Sequence, residues 1–103
     1  MKNLTRLFGS MAVLVAMAAP AFGALASDPV YDKQCSKCHG KYGEGHPDRG
    51  PSLQTTTLSM EDIKNVILNG KGKMPGYNGR LMSSQVDALA GEIVDVSKNA
   101  QPH

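Results

Sequence analysis

The chain has 103 residues, 41% of them apolar, with 11 Lys and Arg against nine Asp and Glu and a formal net charge of +2. That length bounds it to one small domain, and so slight a charge excess excludes the dense basic surface of a nucleic-acid-binding protein. The two cysteines stand at 35 and 38, where a bridge would close too short a loop to staple a fold.

In chain order, residues 1–26 read as an address. Lys2 and Arg6 give a positive start, and residues 7–19 are apolar or small except for Ser10, the make-up of a secretory signal peptide. Ala24 and Ala26 supply the small residues of a cleavage site, which sets the mature start at Ser27, with a cut after Ala21 as the alternative. The apolar run is about 13 residues, short of the ~20 that a membrane-spanning helix needs, so no stable membrane anchor is expected. Residues 27–103 then form the domain, 77 residues with nine Lys and Arg against nine Asp and Glu. At that size an apolar core alone seldom suffices, and something else is expected to organise it.

Residues 27–40, SDPVYDKQCSKCHG, have the marks of a first helix, with Ser27 or Asp28 as cap, Pro29 at the first helical position and Gly40 as the stop. Tyr31, Cys35 and Cys38 fall on one face of it. Residues 41–57 are rich in Gly, Pro and Thr and follow no period; seventeen residues are many for an idle connection, which suggests a loop that wraps something. Residues 59–70, SMEDIKNVILNG, predict a second helix, capped by Ser59, with Met60, Ile63, Val66 and Ile67 as its inward stripe and Asn69-Gly70 as its end. Residues 71–80, KGKMPGYNGR, are irregular again. A third helix runs from Ser83 or Ser84 to Lys98, with Val86, Leu89, Ala90 and Ile93 facing inward. Helices without strand alternation or repeats make an all-α domain.

CSKCHG, residues 35–40, admits a redox dithiol, half of a zinc site, a pair of merely buried thiols, or haem attachment. A dithiol needs a thioredoxin-like strand–helix context, and no strand is read here. Structural zinc needs four ligands, and beyond Cys35, Cys38 and His39 only His46 and His103 remain. Haem attachment gives each residue a reason: two cysteines three apart on one helix face can each bond a vinyl edge of the macrocycle, and the histidine behind them is carried beneath the ring to the iron.

CSKCHG with Tyr31 four residues ahead of it, GPSL at residues 50–53 and KMPGY at residues 73–77 together resemble the small monohaem class I cytochromes c of bacteria, over essentially all of residues 27–103. The resemblance implies the class I cytochrome c fold, three main helices with two haem-wrapping loops, around one covalent haem c. It implies thioethers at Cys35 and Cys38, His39 as an iron ligand, and the Pro51 carbonyl as acceptor of the second imidazole N–H, a bond that fixes the ring. In such proteins the sixth ligand is a methionine from a loop like GKGKMP, which points to Met74. Of the other methionines, Met1, Met11 and Met17 leave with the signal peptide, while Met60 and Met82 are expected in the core, Met82 being the one rival ligand. Met74 is bracketed by Gly70, Gly72, Pro75 and Gly76, a backbone able to approach a flat ring.

Arg49 is a candidate partner for a haem propionate, and Tyr77 for the ring or a propionate. His46 is expected to be a solvated loop residue and His103 to lie at a frayed end. Relatives place an aromatic three residues after the inward leucine of the third helix; here that place is Glu92, so either Gly91 permits a closer helix crossing or the contact is weaker.

Methionine ligation favours reduced iron and fills the sixth position, as suits a carrier rather than an enzyme. The expected function is a periplasmic carrier of one electron, monomeric, meeting redox protein partners transiently at the edge near Cys35 and Cys38. Lys33, Lys37, Lys41, Lys71 and Lys73 form a candidate basic ring there, interrupted by Asp32, Glu44 and Asp48. The alternatives are a haem subunit of a larger oxidoreductase complex, and a haem enzyme or gas sensor with a labile sixth ligand.

Overall fold

Helices supply the regular structure of the computed structural model, which describes residues 25–100, with side chains to 99. In chain order they are α1 (Pro29–Gln34), α2 (Ser36–His39), α3 (Met60–Asn69) and α4 (Ser83–Ala100), and residues 25–27 are helical as well. No strand occurs among the described residues, where extended pairing is limited to isolated bridges such as His46 with Gly50 and Lys71 with Met74. None of the described helices is long and apolar enough to cross a membrane. Residues 1–24 of the expected signal peptide, and His103, lie outside the described residues.

The first helix starts where its sequence sets it, with the Asp28 carboxylate accepting from the Val30 and Tyr31 N–H groups and Pro29 next in line. It does not run unbroken to Gly40 as expected. Cys35 stays in the right-handed region but is pulled out to φ −119°, and the Ser36 hydroxyl donates to the Asp32 carbonyl at 2.5 Å. Such back-bonding by serine competes with the helical ladder and bends it, so a single expected helix becomes α1 and α2. In α3, the Ser59 hydroxyl accepts from the Asp62 N–H at 3.1 Å, as the cap requires. In α4, Gln85 reaches back to accept from the Met82 N–H at 2.8 Å, closing the start of the helix.

The core lies between α3 and α4 and extends under α1. Ile63 and Ile67 from α3 meet Val86, Leu89, Ala90, Ile93 and Val96 from α4, with Tyr31 of α1 and Tyr77 of the second loop buried beside them. Leu25 is fully buried in the same cluster. A Cβ on Gly43 would stand 3.1 Å from the Leu25 Cδ1, so this leucine plugs the underside of the first loop. On the outer surface Lys64 joins α3 to α4, 3.1 Å from Asp87 and 3.7 Å from Glu61.

Two of the expected core methionines are not in it. Met60 is 39% and Met82 is 65% exposed. Met60 has the right phase but is the first residue of α3, and only its tip reaches α4, where a Cβ on Gly91 would stand 3.9 Å from its Cε; Met82 stands before the first turn of α4 and has no helix face to share.

Candidate functional site

One cavity of about 930 Å³ gathers the residues singled out in the sequence: Cys35, Cys38, His39, Arg49, Pro51, Met74 and Tyr77 all line it. Cys35 and Cys38 come from the junction of α1 and α2. His39, at the end of α2, is 8% exposed, and its Nδ1 lies 2.8 Å from the Pro51 carbonyl oxygen. With Nδ1–H donating there, Nε2 is the nitrogen left for a metal. Met74 enters from the second loop, and the floor is apolar, built by Ile63 and Ile67 of α3 and Leu89 and Ile93 of α4.

The first loop holds its proline by backbone bonds. The Gly45 N–H donates to the His39 carbonyl at 2.6 Å, His46 N–H to Gly50 O at 2.9 Å, and Leu53 N–H to Gly43 O at 2.7 Å. Gly50 fits under the imidazole because it has no side chain: a Cβ there would stand 3.2 Å from both Cε1 and Nδ1 of His39. The Tyr31 hydroxyl donates to the Gly40 carbonyl at 2.6 Å, fastening the end of α2 back onto α1.

The second loop is equally set. Lys71 N–H bonds to Met74 O at 3.1 Å and Met74 N–H returns to Lys71 O at 3.0 Å, making a tight turn that presents Met74. A Cβ on Gly76 would lie 2.6 Å from the Leu68 carbonyl oxygen, so the chain beyond Met74 packs backbone to backbone on the end of α3. Tyr77, 6% exposed, donates its hydroxyl to the Gln34 carbonyl at 3.2 Å and stacks under Arg80, whose guanidinium is 4.7 Å from the ring. Its hydroxyl proton is therefore already committed to the Gln34 carbonyl. Burial raises its pKa, with Cys35 adding to the effect, so the phenol stays a donor at neutral pH. Arg49 is exposed at the cavity edge, and one of its nitrogens donates to the Lys37 carbonyl at 3.2 Å.

Burial pushes the Cys35 thiol up to about 11, with Asp28 and then Cys38 adding to it. The redox-dithiol reading lacks its context as well, because no strand occurs among the described residues to build a thioredoxin-like strand–helix unit. Among the described residues no group of three or more His, Cys, Asp or Glu is placed to hold a metal ion, so the zinc reading lacks its ligands. What remains fits a flat iron macrocycle. The cavity falls within the ~300–1,000 Å³ of cofactor sites, with two thiols at its edge, an oriented imidazole on one side, a thioether among its lining residues, and an apolar floor.

His46 is exposed and outside this cavity, its Nδ1 accepting from the Asp48 N–H, as a solvated loop residue would. The five lysines of the expected ring are all exposed, and Lys71 and Lys73 lie on the cavity lining. One contributor escaped the sequence reading, the Gln34 carbonyl, a backbone group that no side chain announces; Gly50 stood in the GPSL motif but without a role of its own. Glu92, in place of the aromatic, turns to the start of α1. It lies against Asp28, and its Oε1 is buried without a hydrogen-bond partner. A Cβ on Gly91 would meet only Met60 Cε, at 3.9 Å, so Gly91 is not there to bring the helices closer.

A family model described as cytochrome C oxidase, cbb3-type, subunit III matches residues 23–91. Among curated proteins the chain is similar to cytochrome c6 of Leptolyngbya boryana, 31% identical over 78 residues, which are 70% of this chain and 91% of that one. Cytochrome c6 of Gracilaria tenuistipitata var. liui is 30% identical over 81 residues, 72% of this chain and 73% of that one. The menaquinol:cytochrome c reductase cytochrome c subunit of Bacillus subtilis is 33% identical over 66 residues, 64% of this chain and 26% of that longer one.

Proposed function

This chain belongs to the cytochrome c family as a small monohaem class I member with one covalent haem c, and from that premise we propose that it is a periplasmic electron carrier whose iron is held between His39 and Met74. The observation that carries this reading is the His39–Pro51 bond of 2.8 Å in a cavity that Met74 also lines. Bound haem supplies a one-electron centre that alternates between ferric and ferrous iron. Cys35 and Cys38 tether it, the Pro51 carbonyl fixes the imidazole, and the apolar wall of Ile63, Ile67, Leu89 and Ile93 keeps water from the ring. Arg49 has donors left for a propionate.

The visible spectrum of the oxidised protein tests the ligation. A weak far-red band of methionine–iron bonding is expected in the wild type and absent from Met74→Ala; a band that survives in Met74→Ala refutes the ligand. Rapid carbon monoxide binding by the reduced protein at neutral pH would instead favour an enzyme or sensor with an open site.

Residues 1–26 carry the export reading. The full burial of Leu25 supports processing N-terminal to it, after Ala21, because a cut after Ala26 would take this side chain out of the core. The intact mass of the exported holoprotein distinguishes a chain beginning at Phe22 from one beginning at Ser27. Partners would meet the edge at the exposed Cys38, with the exposed Lys71 and Lys73 on the lining of the same cavity drawing acidic surfaces. The description of the matching family as an oxidase subunit favours a second reading, a haem subunit of a complex, which stable co-purification with one partner would establish.

A further inference from the structure

We propose that Tyr77 is a positioning residue for the sixth ligand, clasping the loop that presents Met74 to the strand of backbone that carries the haem-binding cysteines. The proposal rests on Met74 as ligand. Tyr77 lies three residues beyond Met74 and is anchored at both ends. Its N–H donates to the Ile67 carbonyl at 2.9 Å, next to the end of α3. Its hydroxyl donates to Gln34 O at 3.2 Å, across 43 residues of sequence.

The acceptor is available because of the break in the first helix. Cys38 N–H turns to the Cys35 carbonyl at 3.1 Å, and the Gln34 carbonyl takes the Tyr77 hydroxyl instead. Gln34 is bonded directly to Cys35, so the clasp ties the Met74 loop to the backbone that leads into the cysteines. Arg80 stacked 4.7 Å over the ring and the burial of the ring hold the hydroxyl in place. With the hydroxyl removed, the Met74 loop keeps its glycine packing on α3 but loses its tie to the opposite wall. Release of the thioether from iron then costs less.

The test uses ferric holoprotein and imidazole, which binds iron only when the thioether has let go. Tyr77→Phe keeps the ring and deletes the hydroxyl; it is expected to bind imidazole about five-fold more tightly than wild type, the scale of one net hydrogen bond. Val86→Ala, in the buried face of α4 and away from the cavity, serves as control: it should lower global stability and leave the imidazole affinity within about two-fold. Unchanged affinity in Tyr77→Phe overturns the clasp, and so does an equal tightening in Val86→Ala, which would mean that imidazole reports only general loosening. Met74→Ala separates the two claims. If it keeps the far-red band, the ligand assignment falls and the clasp with it; if it loses the band while Tyr77→Phe binds imidazole as wild type does, only the clasp falls.

Discussion

At Gly50 a single methyl group decides whether the imidazole can keep its place. A Cβ would stand 3.0 Å from the Cys38 carbonyl oxygen and 3.2 Å from two atoms of the His39 ring, and the ring is already bonded to the next residue's carbonyl. Gly50→Ala should therefore push the imidazole off Pro51 O and destabilise the ferric holoprotein by ~1–3 kcal/mol, the usual cost of overpacking. Guanidinium unfolding measures the loss, and shifted paramagnetic NMR resonances of the His39 ring show its cause. An alanine variant as stable as wild type, with the resonances unmoved, would mean the ring does not depend on this gap. The legibility of the site divides along the same line. The side chains proposed to bond the haem, Cys35, Cys38, His39 and Met74, belong to short motifs with fixed spacing, and all four line one cavity. What supports them is backbone and empty space, Gly50 and the carbonyls of Gln34 and Gly40, which residue type hardly encodes.

At the scale of elements, the helices were legible from caps and period, and their ends were not. Ile63, Ile67, Val86, Leu89, Ala90 and Ile93 are buried as their spacing requires, because each sits mid-helix with a partner helix opposite. Met60 and Met82 share the hydropathy but stand at helix starts, where phase alone does not say whether a partner is present. The contact of α4 with the start of α1 is the least readable, since Glu92 there does what its residue type disfavours. Desolvation, then a hydrogen bond to Asp28, then the charges of Asp28 and Asp95 push the Glu92 carboxyl up to about 7. An unfolded glutamate titrates near ~4.3, so between these values the folded state holds the extra proton. The contribution of this proton to stability is complete below ~4.3 and is lost as pH rises through about 7. Glu92→Gln keeps the neutral form at every pH; discounted for the partial exposure of the group, it should stabilise the protein by about 1 kcal/mol at mildly alkaline pH and by nothing below pH ~4. Guanidinium unfolding at the two pH values checks this, and an equal effect at both would show that the acid pair is not the cause.

The whole molecule is organised round its cavity rather than beside it. Of the ten buried apolar residues among those described, Tyr31, Ile63, Ile67, Tyr77, Leu89 and Ile93 are also cavity wall. A domain so small suggested that something besides apolar packing must organise the core, the length of residues 41–57 suggested a loop that wraps something, and the resemblance implied a second such loop; these expectations describe the same space. A cavity of about 930 Å³ left empty would cost its lining side chains the packing contacts that a flat ring supplies. Water filling the open side lessens this cost but leaves the apolar wall wet, which removes the gain that burying it supplied. The chain without haem should thus have no cooperative native state of this shape. Cys35→Ser/Cys38→Ser, which prevents both thioethers, is expected to give haem-free protein with most of its far-UV helical signal gone and no sharp thermal transition, while the wild-type holoprotein melts cooperatively. A haem-free double variant that keeps the helical signal and a sharp transition would show instead that α3 and α4 suffice as a core, and that the haem enters a preformed fold.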